Sequence, residues 1–267
     1  MSNLFDLTGK VALVTGGNRG IGLALGEGLV EAGAHLIIIH RPETDSKASI
    51  EELKLKTINS AKILSMPFDL KTVTEENVSE LVIKILELSP TNRIDILVNN
   101  AAIAKAILAN DLSMKDYDEI MTVNLKAPLL LSQHVGKHMM ERYKIDNSYR
   151  GKIINISSIM AYTAMTHSTA YTIAKTGLHN MTKSLSNEWA KHGINVNVIA
   201  PGPTDTEMVA AIKRQGDENP RSSIVNRIPM GRRATPDDYK GTVIYLSSRA
   251  SDFVTGEVVI VDGGFMG

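Results

Sequence analysis

The sequence predicts an α/β protein with a doubly wound parallel sheet of about seven strands and helices on both faces. Two observations predict this fold. Short apolar runs rich in β-branched residues alternate along the chain with longer segments of helical periodicity. The apolar runs are nearly continuous, which is typical of parallel strands buried on both faces. We find no Pro-, Gly- or Ser-rich linker, so residues 1–267 are interpreted as a single domain.

The elements follow in order along the chain. Strands are expected at residues 11–15, 36–39, 63–67, 94–99, 152–157, 194–199 and 258–261. Helices are expected at residues 20–32, about 74–88, about 113–142, 168–192 and about 236–248. Residues 41–48 read as a polar turn. The proline-containing stretch that follows the sixth strand is predicted to hold a substrate lid at about 203–233, because long irregular insertions at the carboxyl end of a strand often bind ligands.

Composition narrows the class of function. Acidic and basic residues balance at 29 each and aromatic residues make up 4%, which argues against nucleic acid and anionic membranes as partners. There are no cysteines, and the seven histidines lack metal-ligand spacing, so no metal site is expected. The N-terminus lacks the features of a signal peptide, and no apolar run is long enough to span a membrane. A cytoplasmic protein is therefore expected.

A glycine-rich turn at residues 15–22, Thr-Gly-Gly-Asn-Arg-Gly-Ile-Gly, follows the first strand and opens the first helix. This context is what a dinucleotide-binding turn requires. Gly16 permits the tight turn, Gly20 lets the backbone approach a pyrophosphate, and Gly22 allows close packing of helix on strand. The turn predicts a Rossmann-type fold that binds a dinucleotide.

The end of the second strand bears on which dinucleotide is bound. An acidic residue there would accept hydrogen bonds from the adenosine ribose, but the strand runs into His40 and Arg41. Arg19 and Arg41 could both face a 2′-phosphate, whose geometry suits a guanidinium group. NADP(H) is therefore predicted. NAD(H) remains the less favoured alternative, since Glu43 lies close to Arg41.

Tyr171 and Lys175 are four residues apart, which places both on one face of a helix. An ammonium group beside a phenol favours the phenolate, so the pKa of Tyr171 is expected to fall toward neutral pH. Such a phenol can exchange a proton with an alcohol or carbonyl oxygen. Ser157 and Ser158, upstream of the tyrosine, are both candidates to bind the reacting oxygen.

Together these patterns resemble the short-chain dehydrogenase/reductase family over nearly the whole chain. The resemblance rests on the turn at 15–22, Asn-Asn-Ala-Ala at 99–102, Asn124, Ser158, Tyr171, Lys175, Pro201-Gly202 and Asp-Gly-Gly at 262–264. It implies that Tyr171 is the proton donor and acceptor and that Lys175 lowers its pKa and binds the nicotinamide ribose. It also implies that Ser158, thirteen residues before the tyrosine, holds the reacting oxygen. Asn124 would hold a water that relays protons.

The resemblance further implies the cofactor contacts. Asp69 would meet the adenine amino group and Asn100 the ribose, while Thr204 and Thr206 occupy the positions that meet the nicotinamide carboxamide. The full predicted set is Gly16, Asn18, Arg19, Gly20, Ile21, Gly22, His40, Arg41, Asp69, Leu70, Asn100, Ala101, Tyr171, Lys175, Pro201, Gly202, Thr204 and Thr206.

The substrate is less constrained. Several stretches resemble the branch of gluconate 5-dehydrogenases and 2-deoxy-gluconate 3-dehydrogenases, with sorbose and polyol reductases as neighbours. The loop at 159–170 has no arginine to bind a carboxylate, so a sugar acid, a polyol, a ketose and a bulkier carbonyl compound all stay open. The predicted pocket residues are Ile103, Met160, His167 and Met208.

Two other classes of function are kept as alternatives. One is a non-catalytic protein that senses NADP, and the other is an interaction protein that uses the fold as a scaffold. The resemblance implies a homotetramer that pairs the helices at 113–142 and 168–192, with a dimer as the alternative. The C-terminal residues 265–267 are expected to reach a neighbouring subunit.

Overall fold

The computed structural model describes residues 4–206 and 224–267, and its seven strands form one parallel sheet. The strands lie in the order β3-β2-β1-β4-β5-β6-β7. This confirms the predicted fold class. The strands are β1 (Val11–Thr15), β2 (His35–His40), β3 (Ile63–Pro67), β4 (Ile96–Asn99), β5 (Gly151–Ile156), β6 (Ile194–Pro201) and β7 (Val258–Val261).

Seven α-helices lie within the described residues, and they connect or follow the strands. They are α1 (Gly20–Glu31), α2 (Lys47–Leu55), α3 (Glu75–Leu88), α4 (Met114–Met121), α5 (Ala127–Ile145), α6 (Thr169–Trp189) and α7 (Lys240–Ser247). Among the described residues, no helix combines the length and the apolar character that crossing a bilayer requires.

Two elements differ from the sequence expectation. Residues 41–48 were expected to form only a polar turn, but helix α2 begins at Lys47. Its buried side chains are Ser49 and Leu53 alone, which is too few to give an apolar repeat. The single helix expected at 113–142 is interrupted by a π-helical turn, Thr122–Lys126, between α4 and α5. Single π turns of this kind are frequent at functional sites.

The core has two layers, one on each face of the sheet, because successive strand residues point to opposite faces. Leu13, Ile37 and Leu97 lie in the layer under α3, α5 and α6. Val14 and Val98 lie in the layer under α1, α2 and α7. Nearly every strand side chain in the centre of the sheet is buried, which explains the continuous apolar runs of the sequence.

The strand order reverses direction between β1 and β4. The chain moves outward from β1 through β2 to β3 and then returns to pair β4 with β1, with Val14 opposite Val98. In doubly wound sheets, ligands bind at the carboxyl ends of the strands beside such a reversal. The glycine turn and the segments that follow β4 and β5 all lie at this edge.

Candidate active site

The glycine turn fits a dinucleotide diphosphate. Gly16 and Gly20 have positive φ angles of 64° and 53°, and a Cβ added to Gly20 would meet nothing within 4 Å. A Cβ on Gly22 would lie 2.2 Å from the carbonyl oxygen of Gly16. Helix α1 begins with Arg19 as its N-cap, has no side-chain cap and carries no acid in its first turn. Its first N–H groups and its dipole are therefore suited to an anion.

Thr15 and Asn100 hold this turn against the segment after β4. The Thr15 hydroxyl accepts the N–H groups of Asn100 and Ala101 at 2.9 and 3.0 Å. The side-chain amide of Asn100 donates to the carbonyl oxygens of Thr15 and Gly16 at 2.9 and 3.2 Å. The amide nitrogen of Asn100 thus braces the turn, and the contact of Asn100 with a ribose stays a prediction. Sequence reasoning missed the role of Thr15, although a polar residue at the end of a buried strand signals a partner.

His40 and Arg41, predicted together as cofactor contacts, differ in their environment. The ring of His40 is buried, with Nδ1 3.0 Å from the carbonyl oxygen of Arg41 and Nε2 3.2 Å from the hydroxyl of Ser46. Arg41 is exposed and forms an ion pair with Glu43 at 3.3 Å. The imidazole of His40 therefore makes hydrogen bonds within the turn that follows β2, whereas the side chain of Arg41 faces solvent.

Asp69 and Leu70 follow β3. The carboxylate of Asp69 accepts the N–H of Lys71 at 2.9 Å and caps a short 3-10 helix. Leu70 is buried in the core layer under α3 and α5, so its side chain is not available to a cofactor. The prediction for Leu70 is thereby limited to its main chain.

The segment 201–206 is held by contacts that the sequence did not reveal. The hydroxyl of Thr204 donates to the carbonyl oxygen of Gly202 at 2.8 Å and lies 2.5 Å from the hydroxyl of Tyr239. Asp205 forms an ion pair with Arg233 at 3.0 Å. Thr204 is 5% exposed, so its hydroxyl is already used inside the protein. The predicted carboxamide contact of Thr204 stays a prediction.

The predicted catalytic side chains Ser158, Tyr171 and Lys175 come together between the end of β5 and the start of α6. The Nζ of Lys175 lies 5.6 Å from the centre of the Tyr171 ring and donates to the carbonyl oxygen of Ile156 at 2.7 Å. Ser158 accepts the N–H of Met160 at 3.1 Å and also hydrogen-bonds Tyr171. Ser157 instead donates to the carbonyl oxygen of Lys175 at 3.0 Å, which ties α6 to β5. The geometry favours Ser158 as the catalytic serine.

The pKa of Tyr171, which lies beside Lys175, differs from the sequence expectation. Burial raises the pKa of Tyr171 to about 12, against a smaller lowering by the hydrogen bond with Ser158. Burial also lowers the pKa of Lys175 to about 7. The expected fall of the tyrosine pKa is therefore wrong for this structure. Spacing alone does not reveal that Lys175 is only 2% exposed, where loss of hydration disfavours the charged amine.

Asn124 lies in the π-helical turn and is fully buried. Its side-chain amide donates to the carbonyl oxygen of Ile103 at 2.8 Å, and its side-chain oxygen accepts the N–H of Ile103 at 2.9 Å. Both polar atoms of the side chain thus hold the segment after β4. The water contact of Asn124 stays a prediction.

The substrate side of the site lies next to this segment. The carbonyl oxygen of His167 accepts the N–H of Ile107 at 3.0 Å, and His167 has a positive φ of 63° with an exposed side chain. Ile103 and Met160 are partly exposed at the same edge. Met208 and most of the predicted lid lie outside the described residues. No cluster of three or more His, Asp or Glu side chains suited to a metal occurs in residues 4–206 and 224–267.

Comparison with known proteins identifies the family. A family model described as Enoyl-(Acyl carrier protein) reductase (adh_short_C2) matches residues 16–266. The chain belongs to the short-chain dehydrogenase/reductase family. This confirms the resemblance and the expectation of an oxidoreductase. A 2-dehydro-3-deoxy-D-gluconate 5-dehydrogenase from Formosa agariphila is 38% identical over 266 residues, covering 99% of this chain and 95% of that protein.

Solved structures of the family have the same fold. A putative gluconate 5-dehydrogenase from Beutenbergia cavernae, with NADP bound at low occupancy, is 33% identical with a TM-score of 0.88 and covers 99% of both chains. A gluconate 5-dehydrogenase from Burkholderia cenocepacia, in complex with NADP and tartrate, is also 33% identical, with a TM-score of 0.87. The match covers 98% of this chain and 97% of the Burkholderia chain.

Proposed function

We propose that this protein is an NADP(H)-dependent oxidoreductase that interconverts a secondary alcohol and a ketone on a sugar acid or a related polyhydroxy compound. The observation that carries the proposal is the grouping of Ser158, Tyr171 and Lys175 at the edge of the sheet where α1 offers its N-terminus. A proton-transfer group and a dinucleotide-binding turn thus share one edge of the sheet.

Tyr171 supplies the proton. With a pKa of about 12 it is protonated at neutral pH, so it is ready to protonate the oxygen of a ketone as that oxygen gains charge. Ser158 holds the same oxygen and stabilises its developing charge. Bound NADPH supplies the hydride. In the direction of oxidation, Tyr171 must first release its own proton toward Lys175 and the relay water, and the resulting phenolate then accepts the proton of the alcohol.

Lys175 completes the proton control. Its Nζ donates one hydrogen to the carbonyl oxygen of Ile156, and its remaining donors would be available to a nicotinamide ribose and to the phenol. The main-chain carbonyl of Asn124 is the candidate to hold a relay water, since its side chain is committed to Ile103.

The choice of NADP(H) over NAD(H) is supported by Arg19 and Arg41 at the adenosine end and by the NADP in the Beutenbergia and Burkholderia structures. A guanidinium group suits the 2′-phosphate, and the end of β2 carries no carboxylate. NAD(H) use is the second candidate, because Glu43 lies within an ion-pair distance of Arg41.

The substrate class is supported by the relatives, which are named as dehydrogenases of gluconate and of a dehydro-deoxy-gluconate. The loop at 159–170 still lacks an arginine or lysine. A polyol or ketose is therefore the second candidate. A panel that pairs each acid with the corresponding neutral sugar alcohol separates the two.

The assembly is proposed to be a homotetramer that pairs α5 and α6 of neighbouring copies. Light scattering that shows only a monomer would contradict this. Phe265, which we expected to reach a neighbouring subunit, packs on Arg227 of its own chain, 4.5 Å from guanidinium carbon to ring centre.

The deciding experiment is turnover of NADPH with a panel of ketones by the wild type and by Tyr171→Phe. The variant loses the proton donor, so kcat should fall by about 10²- to 10⁴-fold while NADPH still binds. Tyr162→Phe is the matched control, because that exposed tyrosine lies in the adjacent loop and packs on His179. Turnover by Tyr171→Phe equal to the wild type would refute the role of Tyr171. NADPH binding without turnover of any substrate would favour the NADP-sensing alternative, and binding of no dinucleotide would favour a scaffold.

A further inference from the structure

The turn between β2 and α2, residues 40–46, has a well-defined backbone. The carbonyl oxygen of Arg41 accepts hydrogen bonds from the N–H and the hydroxyl of Thr44 at 3.0 and 2.7 Å. The same carbonyl lies 3.0 Å from Nδ1 of His40. A carbonyl can only accept, so Nδ1 donates and Nε2 is left to accept from Ser46. These hydrogen bonds fix the backbone of the turn that carries Arg41 and Glu43.

This turn adjoins the glycine turn. The N–H of Gly16 donates to the carbonyl oxygen of Ile39 at 2.7 Å, directly before the turn begins. A dinucleotide whose diphosphate lies on the first turn of α1 therefore extends its adenosine ribose toward residues 40–46. Arg41 is the cation of this turn, and its side chain is 43% exposed.

Glu43 occupies the guanidinium that a 2′-phosphate would use. Its carboxylate lies 3.3 Å from Nη1 of Arg41. A phosphate that binds Arg41 must displace this carboxylate or share the guanidinium with it, and it also meets the repulsion of a like charge. Moving the carboxylate of Glu43 away from the guanidinium breaks this ion pair.

We propose that Glu43 is a specificity-determining residue, which weakens the grip of Arg41 on a 2′-phosphate and so brings the affinities for NADP(H) and NAD(H) closer together. This inference rests on the proposed function. It concerns the choice between cofactors and leaves the chemistry at Tyr171 unchanged. Glu43 is 63% exposed, so the effect is modest and falls as salt screens the charges.

The test uses nucleotides that carry no nicotinamide. Adenosine 2′,5′-bisphosphate and 5′-AMP differ only in the 2′-phosphate, and their affinities are measured by calorimetry on the wild type and on Glu43→Gln. The variant should bind the bisphosphate roughly three- to tenfold more tightly at low salt, with little change for AMP. The gain should shrink as the salt concentration rises.

Glu51→Gln is the matched control. Glu51 is an exposed glutamate on α2 that pairs with Lys54 at 2.8 Å, so the substitution removes the same charge nearby. A gain confined to Glu43→Gln supports the proposal. An unchanged bisphosphate-to-AMP ratio, or an equal gain in Glu51→Gln, overturns it. If the wild type binds neither nucleotide, the inference fails, whereas the proposed function fails only if NADPH, measured in the same calorimeter, also does not bind.

Discussion

The two ends of the proposed cofactor groove handle charge in opposite ways. At the nicotinamide end, Lys175 is 2% exposed and its partner is a neutral carbonyl oxygen, that of Ile156. At the adenosine end, Arg41 is 43% exposed and its partner is the carboxylate of Glu43. Burial moves the pKa of Lys175 down to about 7, whereas the exposed pair is screened by water and salt. Desolvation thus dominates one end and direct charge pairing the other.

Because of this difference, removing the cation should have different consequences at the two ends. Removing a cation from the buried end relieves a large desolvation cost but removes a group that the proposed chemistry uses. Removing one from the exposed end leaves stability nearly unaffected and alters only recognition. Groups with strongly shifted pKa values are concentrated at functional sites, which makes the buried end the candidate for chemistry.

The largest predicted effect is that of Lys175→Met on stability. The folded pKa of Lys175, about 7, lies below its ordinary value of 10.5. The unfolded chain therefore binds more protons between these pH values, and the stability of the wild type rises with pH in this window. At neutral pH and below, burial of the charged amine costs the wild type on the order of a few kcal/mol, which Lys175→Met avoids.

Urea unfolding of both proteins without nucleotide, from about pH 7 to about pH 10, measures this. The advantage of Lys175→Met should be greatest at the low end and shrink as pH rises, while its turnover is largely lost. Lys54→Met, at an exposed lysine, should show no such pH trend. A pH-independent difference for Lys175→Met would contradict a depressed lysine pKa.

A smaller effect is expected at the buried contact between Thr204 and Tyr239. Burial raises the pKa of Tyr239 to about 12, so its hydroxyl stays protonated and donates to Thr204. Tyr239→Phe should cost about 1 kcal/mol, and Thr204→Val about 1–3 kcal/mol, because it leaves a buried hydroxyl without its partner. The KM for NADPH should rise in both, since this contact fixes the segment 201–206.

The double variant tests the pairing directly. If the two hydroxyls act as one unit, the combined loss of stability is smaller than the sum of the single losses. Strict additivity would show that the contact contributes nothing. The exposed pair of Arg41 and Glu43 should show no such coupling, because water replaces a partner that is removed there.

The sequence predicted the strands and the candidate catalytic residues better than it predicted helix α2 or the pKa of Tyr171. Nearly continuous apolar runs revealed all seven strands, and motif spacing brought Ser158, Tyr171 and Lys175 together. Helix α2 was missed because only Ser49 and Leu53 are buried in it. Burial is a property of the assembled fold, so the pKa of Tyr171 could not be read from its spacing to a lysine.

Long-range pairing was equally hidden. Tyr239 reaches Thr204 across 35 positions of sequence, and the side chain of Asn124 pairs with Ile103 across 21. No periodic pattern links such residues. Local signals therefore predicted the candidate catalytic residues, while the contacts that position them emerged only from the packed structure.

The smallest effect on stability is predicted for Arg41→Gln. Because both partners of its ion pair are exposed, the change should alter the free energy of unfolding by less than about 0.5 kcal/mol. It should nevertheless weaken binding of adenosine 2′,5′-bisphosphate and leave AMP nearly unchanged, as measured by calorimetry. The weakening should be largest at low salt. Equal loss for both nucleotides would mean that Arg41 supports the turn and does not bind the phosphate, and direct charge pairing would then not govern cofactor choice at the adenosine end.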